Sequence, residues 1–230
     1  MAIHDHRIAG VILAGGRSSR MIDPLASAGK IDPLPKPRQT LAGKLLIDHV
    51  AERLRPQVSC LLINANDDPA AYRHLAAPVV ADLGAGYRGP LAGLACAMSY
   101  LHRQHPLIEL VALAPCDAPF LPENLVAVLA EALFADSAQV ACPRYEGFLQ
   151  PTFSLWRMKL LPVVLHESVT LDKGGIKELL CRLRCAAVEW PQSTPHPFFN
   201  INTPEQLEEA GTLLESGPIS ENPMRRGTST

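Results

Sequence analysis

Short apolar runs alternate with stretches of helical spacing along most of the chain. "IAGVIL" (8–13) predicts a strand, as do "VSCLLIN" (58–64), "PVVAD" (78–82) and "LIELVALAP" (107–115). These runs are nearly continuous in apolar residues, as strands covered on both faces require. Between them lie helical patterns. "LLIDHVAERL" (45–54) sets Leu46, Val50 and Leu54 on one face. "PAAYRHLA" (69–76) predicts a short helix, with Asp68 as N-cap and Pro69 at the first position. "PLAGLACAMSYLH" (90–102) opens on Pro90, and "ENLVAVLAEALF" (123–134) predicts a further helix.

Strands that alternate with helices at this spacing predict a three-layer α/β/α fold. Its sheet is mostly parallel, its helices lie on both faces and its crossovers are right-handed. After about residue 136 the rhythm loosens. "AQVACPRYEG" and "LQPTFSLW" predict two strands with a hairpin-like connection. Helical patches follow near 158–165 and 174–183, and "AAVEW" predicts a strand. "NTPEQLEEAGTLL" starts a final helix, with Thr203 as N-cap, Pro204 in the first turn and Gln206 completing a capping box. One domain is expected over residues 1–215. The polar segment 216–230 is expected to be a disordered tail. Residues 22–39 are rich in proline and poor in core candidates, and so form a long loop of the kind that is functional or mobile.

Composition narrows the classes. The chain has 230 residues, 47% of them hydrophobic, and a net charge of −2. That balance argues against broad electrostatic binding to nucleic acid or to an anionic membrane. No apolar run is long enough to span a bilayer, and the start of the chain lacks a signal-peptide pattern, so a cytoplasmic protein is expected. The cysteines, Cys60, Cys96, Cys116, Cys142, Cys181 and Cys185, contain no Cys-x-x-Cys pair. They read as buried free thiols rather than a zinc or redox motif; Cys181 and Cys185, four apart, could share a helix face.

Ligands of an open parallel sheet bind outside the carboxyl ends of its strands. Those ends carry Gly15-Gly16, Asn64-Ala65-Asn66, Asp82 and Cys116-Asp117. The chain has no P-loop. Gly84-Ala85-Gly86-Tyr87-Arg88-Gly89 matches a dinucleotide fingerprint in letters, but it does not lie at the first turn, and Glu109 falls at the start of the next strand rather than its end. "LAGGRSSRM" (13–21) is the stronger phosphate candidate. Gly15 and Gly16 leave backbone amides unobstructed, and Arg17 and Arg20 can add charge-assisted bonds. Asp117 follows an apolar strand directly, between Pro115 and Pro119. Magnesium takes one or two carboxylates plus substrate phosphates, so Asp117 is a candidate Mg²⁺ ligand, its alternative being an N-cap of the following turn.

"LAGGRSSRM", "LAGKLLIDHV" (41–50), "INAN" (63–66), "PVVAD", "GPLAGL" (89–94), "PCDAPFLP" (115–122) and "NINTPEQL" (200–207) occur in this order. Together they resemble the molybdenum cofactor guanylyltransferases, which join GMP from GTP to molybdopterin. The resemblance spans about residues 8–210 and implies a Rossmann-like, GT-A-like nucleotidyltransferase fold, with GTP, molybdopterin and Mg²⁺. By resemblance, Leu13, Ala14 and Gly15 hold the nucleotide, and Gly16 and Arg20 lie near its phosphates. Asn64 and Asp82 contact the nucleoside, Asp117 binds Mg²⁺, and Asn200 and Asn202 lie on the pterin side. A loop lysine touches phosphate: Lys36, which stands where the family lysine stands relative to "LAGK", with Lys30 as its competitor. The loop departs from the family pattern. Ile22 replaces a glycine after Met21, an insertion follows, Pro35 precedes the lysine where Asp is usual, and Leu45 follows Lys44 where Pro is usual.

The implied reaction is attack of the molybdopterin phosphate on the α-phosphorus of GTP, with loss of pyrophosphate. An ionised phosphate needs no general base; His49 and His102 then read as helix-surface residues. Neutralising charge is the main task, and Lys36, Arg20, loop amides and Mg²⁺ on Asp117 would supply it. Asp82 can read guanine through two hydrogen bonds, bind ribose, or cap its loop. Rival readings are a molybdopterin cytidylyltransferase, a sugar-1-phosphate nucleotidyltransferase, and a nucleotide-binding partner protein without catalysis. Other molybdenum cofactor biosynthesis proteins and molybdoenzyme chaperones are the further expected partners.

Overall fold

The computed structural model describes residues 7–16, 35–82, 89–171 and 174–216. At the centre lies β1 (Ile8–Leu13), flanked in parallel by β4 (Cys60–Asn64) and β6 (Leu110–Pro115). Beyond β4 runs the short β5 (Val79–Val80). On the other side come β9 (Leu155–Arg157), β7 (Val140–Tyr145) and β10 (Cys185–Glu189). The strand order is β10-β7-β9-β6-β1-β4-β5, and β8 (Phe148–Leu149) pairs with β7. β2 (Thr40–Leu41) and β3 (Lys44–Leu45) form a separate antiparallel ribbon. It turns through Ala42 and Gly43, both at positive φ, as a two-residue hairpin with the sheet's own twist demands.

Alternation along each strand feeds two cores. Ile12, Ile63 and Leu110 face the layer of α1 (Leu46–Leu54) and α3 (Leu125–Ala135), against Ile47, Val50, Leu54, Leu129 and Leu133. Val11, Leu62, Val111 and Leu113 face α2 (Pro90–Gln104), α4 (Leu161–Leu165) and α5 (Ile176–Leu180), against Leu91, Leu94, Met98, Val164 and Leu179. Both faces are therefore covered, which is why the strands read as unbroken apolar runs. Gly10 lets α1 sit close: a Cβ there would meet Leu54 and Val58 at 3.1 Å.

The structure departs from the sequence pattern in three places. Residues 69–75 form a 3₁₀ rather than an α-helix, although Pro69 opens it and the Asp68 side chain accepts from the Ala70 N–H at 2.9 Å as expected. "LQPTFSLW" does run antiparallel to β7, as a hairpin-like connection predicts, but in two pieces: Phe148–Leu149 turns back on β7 through Glu146 and Gly147 at positive φ, and the 3₁₀ turn Pro151–Phe153 separates it from β9. The later β9 inserts antiparallel between β6 and β7. Fully buried Trp156 anchors it, and its indole N–H donates to Ser154 Oγ at 2.7 Å, which a buried indole requires. Finally, Cys181 and Cys185 share no helix: Cys181 is exposed at the end of α5, and Cys185 opens β10. Among the described residues no helix is long and apolar enough to cross a membrane.

Candidate active site

Strand register brings the carboxyl ends to one level. Leu13 pairs with both Asn64 and Pro115, and Asn64 pairs with Val80. The chain leaves each strand with the ladder still held. Ala14 N–H donates to the Asn64 carbonyl at 2.7 Å, Cys116 N–H to the Leu13 carbonyl at 3.1 Å, and Ala65 N–H to the Val80 carbonyl at 3.0 Å. The glycine turn, the asparagine pair, Asp82 and Asp117 therefore open onto the same edge.

On the β4–β5 side, two carboxamides hold one carboxylate. Asn64, only 3% exposed, donates through Nδ2 to Asp82 Oδ1 at 2.9 Å and to the Val80 carbonyl at 3.2 Å. Asn66 donates through Nδ2 to Asp82 Oδ2 at 2.9 Å and accepts from the Asp82 N–H at 2.8 Å. Two glycines make room. A Cβ on Gly15 would lie 2.8 Å from Asn66 Nδ2, and one on Gly93 would lie 2.2 Å from Asn64 Oδ1. Gly93 belongs to α2, so the "GPLAGL" stretch serves the site by letting that helix approach Asn64. Gly89, at the N-cap of α2, has φ +81°, and a Cβ there would lie 2.7 Å from the Gly174 carbonyl oxygen, which accepts from Leu91 N–H at 3.2 Å.

On the β6 side, the Asp117 carboxylate is ion-paired with Lys36 Nζ, and Lys36 also donates to Asn202 Oδ1 at 2.7 Å. Lys36 opens a single 3₁₀ turn, Lys36–Arg38, bracketed by Pro35 and Pro37. The "NINTP" segment is tied to the Asp117 loop through Ile201 N–H, which donates to the Asp117 carbonyl at 2.9 Å. Ile201 is fully buried with Leu41, Leu46, Phe120 and Ala210, so α6 (Pro204–Ser216) docks this segment against the ribbon and α1. The capping box is displaced by one residue. Thr203 Oγ1 accepts from Gln206 N–H at 3.3 Å as expected, but Gln206 Oε1 reaches back to the Asn202 N–H at 2.7 Å. The cap thus orients a site residue as well as the helix. Asn202 Nδ2 donates to the Asn200 carbonyl at 3.2 Å, while Asn200 Oδ1 is buried without a hydrogen-bond partner among the described residues.

The structure places Leu13, Ala14, Gly15, Gly16, Asn64, Asp82, Lys36, Asp117, Asn200 and Asn202 on this edge, in two groups. Arg17 and Arg20 lie outside the described residues, as do Lys30, most of the loop 22–39, residues 84–88 of the Gly84–Gly89 stretch, and the tail from 217. His49 lies on α1 and bonds the Leu41 carbonyl at 2.9 Å. Sequence reasoning placed Asn66 at the ligand edge without a partner, gave Gln206 only a capping role and gave Gly93 none. The signal for Asn66 was its two-residue spacing from Asn64, which puts both on one side of an extended chain. Burial pushes the Cys116 thiol well above its ordinary pKa, so a neutral thiol, not a thiolate, sits beside Asp117.

Solved structures share the fold. The chain is similar over 92% of its length to 99% of a nucleotidyl transferase from Methanothermobacter thermautotroptrophicus, with TM-score 0.70 and 18% identity. It is similar over 90% of its length to 99% of a molybdopterin-guanine dinucleotide biosynthesis protein A from Archaeoglobus fulgidus, with TM-score 0.67 and 21% identity. The shared architecture is a Rossmann-like α/β fold; in such folds ligands bind where the parallel strands end.

Sequence comparison is more particular. Residues 10–187 match the model of the MobA-like NTP transferase domain, and the chain belongs to that family. It is 35% identical over 206 residues to a molybdenum cofactor guanylyltransferase of Bradyrhizobium sp. strain ORS 278, covering 90% of this chain and 92% of that one.

Proposed function

We propose that the chain transfers GMP from GTP to molybdopterin, forming the guanine dinucleotide cofactor and pyrophosphate. The observation that carries this reading is the pairing of two polar clusters on one sheet edge. One is a carboxylate held by two asparagines, and the other is a carboxylate and an ammonium held against the "NINTP" segment. The first suits a nucleoside and the second the phosphates and the incoming pterin. Family relatives named for this activity at comparable length support it.

Lys36 supplies positive charge where phosphate oxygens would gather, and Gly15 and Gly16, which continue the chain beyond Leu13 and Ala14, offer backbone amides beside them. Asn64 and Asp82 hold the nucleoside, and Asn200 and Asn202 face the acceptor. By the family resemblance, Arg20, which lies outside the described residues, is the second cationic group expected near the phosphates. The acceptor phosphate is already ionised, so the residues need only orient it and offset charge, the largest part of such catalysis.

Asp117 fits a divalent cation. It is a hard oxygen donor, 8% exposed, at the ligand edge. Among the described residues no group of three His, Cys, Asp or Glu could hold a metal. A site with one protein carboxylate suits Mg²⁺, which completes its shell with substrate phosphates and water. When bound there, Mg²⁺ would supply charge neutralisation at the triphosphate.

The test is turnover of purified protein with molybdopterin and Mg²⁺, presented with GTP or CTP in turn. Guanine dinucleotide and pyrophosphate are expected from GTP alone. Preference for CTP would assign the cytidylyl transfer instead, and nucleotide binding without pyrophosphate release would mark a non-catalytic partner.

A further inference from the structure

Asn66 joins three loops of the ligand edge, its own and two others. It follows β4, takes both the N–H and Oδ2 of Asp82 beyond β5, and lies within 3.4 Å of the Gly15 carbonyl beyond β1. It is exposed and fills no core. Its geometry is a two-point clasp: one acceptor and one donor of a planar amide against one donor and one acceptor of the same aspartate.

The clasp has a chemical consequence. A free aspartate turns readily about the bond to its carboxylate, since that terminal torsion is broad. Here Asn64 bonds Oδ1 and Asn66 bonds Oδ2, each at 2.9 Å, so the carboxylate plane is set from both sides. Each oxygen keeps further acceptor capacity. Two acceptors fixed side by side complement two parallel N–H donors. Guanine offers such a pair at N1–H and N2–H₂; adenine and cytosine place a ring acceptor beside the exocyclic amine and cannot.

We infer that Asn66 is a positioning residue for guanine selection: it fixes the plane of the Asp82 carboxylate and ties it to the glycine turn that receives the phosphates. This rests on the proposed reading of the site as one for GTP, with Asp82 on the base. Asn64 is buried and anchored to Val80, so it holds the inner oxygen whatever the ligand. Asn66 controls the outer one.

The experiment compares equilibrium binding of GTP and ITP, with Mg²⁺, by calorimetry. ITP lacks the 2-amino group, so it loses one of the two donors. Wild type is expected to prefer GTP by about tenfold or more, the worth of one hydrogen bond to a charged group. Asn66→Ala is expected to lower GTP affinity and shrink the GTP-to-ITP ratio to within about twofold of unity, with ITP binding nearly unchanged. Asn66→Asp keeps an acceptor for the Asp82 N–H but replaces the donor with a second carboxylate, and should erase the preference as well. If Asn66 only braces the loop, both nucleotides weaken together and the ratio stays at the wild-type value, which overturns the positioning role. If wild type itself fails to prefer GTP over ITP, the base reading of Asp82 falls, and the role of Asn66 with it. Since Asn66 is exposed, thermal melts of both variants should stay close to wild type.

Discussion

Lys36 and Asp117 are 81 positions apart in sequence and form an ion pair at the carboxyl edge of the sheet, with Asn202 as the third member. Three segments thus meet at one ammonium: the end of the loop over residues 22–39, the loop after β6, and the entry to α6. Lys36 holds the carboxylate proposed for the cation, so a metal ion bound there without nucleotide would compete with the lysine for Asp117.

Asp117→Asn should therefore lower turnover by on the order of 10³-fold or more, because charge offset at the phosphates is lost. The fold should persist, since the bond between the Asp117 carbonyl and Ile201 N–H does not involve the side chain. Steady-state pyrophosphate release and circular dichroism of the variant check both halves. Near-normal turnover with Mg²⁺ would remove Asp117 from the metal role.

Lys36→Ala should reduce turnover by about 10²-fold, the scale of losing one donor aimed at developing charge. Lys30→Ala should leave it within a few-fold. Lys36→Ala should also bind Mn²⁺ more tightly than wild type when no nucleotide is present, measured by electron paramagnetic resonance. Greater damage from Lys30→Ala would show that the family lysine has been matched across the insertion incorrectly.

Gly15 and Asn66 should be coupled. A Cβ at Gly15 falls 2.8 Å from Asn66 Nδ2, closer than such contacts allow. Gly15→Ala should push the carboxamide off Asp82 and weaken GTP binding. In an Asn66→Ala background the added methyl has room, so the double variant should bind GTP better than the sum of the single losses predicts. A double-mutant cycle on GTP affinity measures the departure, expected at about 1 kcal/mol; strict additivity would mean that the two residues act separately.

Much of this edge could be read from local pattern. The apolar runs located β1, β4 and β6, and the residue after each run is where a parallel sheet presents its ligand groups. Asp68 and Thr203 were readable as caps because capping depends on neighbours in sequence. What pattern could not supply was long-range partnering. β9 entered between β6 and β7 because Trp156 needed a buried place, which no periodicity encodes. Asn66 was readable as a ligand-edge residue, but not as the partner of Asp82, sixteen positions on. Gln206 fitted the capping box, but its side chain served Asn202, one residue before the cap.

Asn200 offers a prediction in which stability and activity move in opposite directions. Its Oδ1 is buried and has no partner among the described residues, and a buried acceptor without a donor costs about 1–3 kcal/mol. If that acceptor waits for an N–H of the pterin, Asn200→Ala should relieve the free protein while harming the complex. The melting temperature is expected to rise by about 2–4 °C, the shift that 1 kcal/mol gives in a chain of this size. The KM for molybdopterin should rise about tenfold, with GTP affinity unchanged, because the nucleoside cluster lies on the β4–β5 side. Asn202 keeps its own bond to the Asn200 carbonyl, which the substitution does not touch. A lower melting temperature together with an unchanged KM would place Asn200 in the architecture of the loop and not at the acceptor.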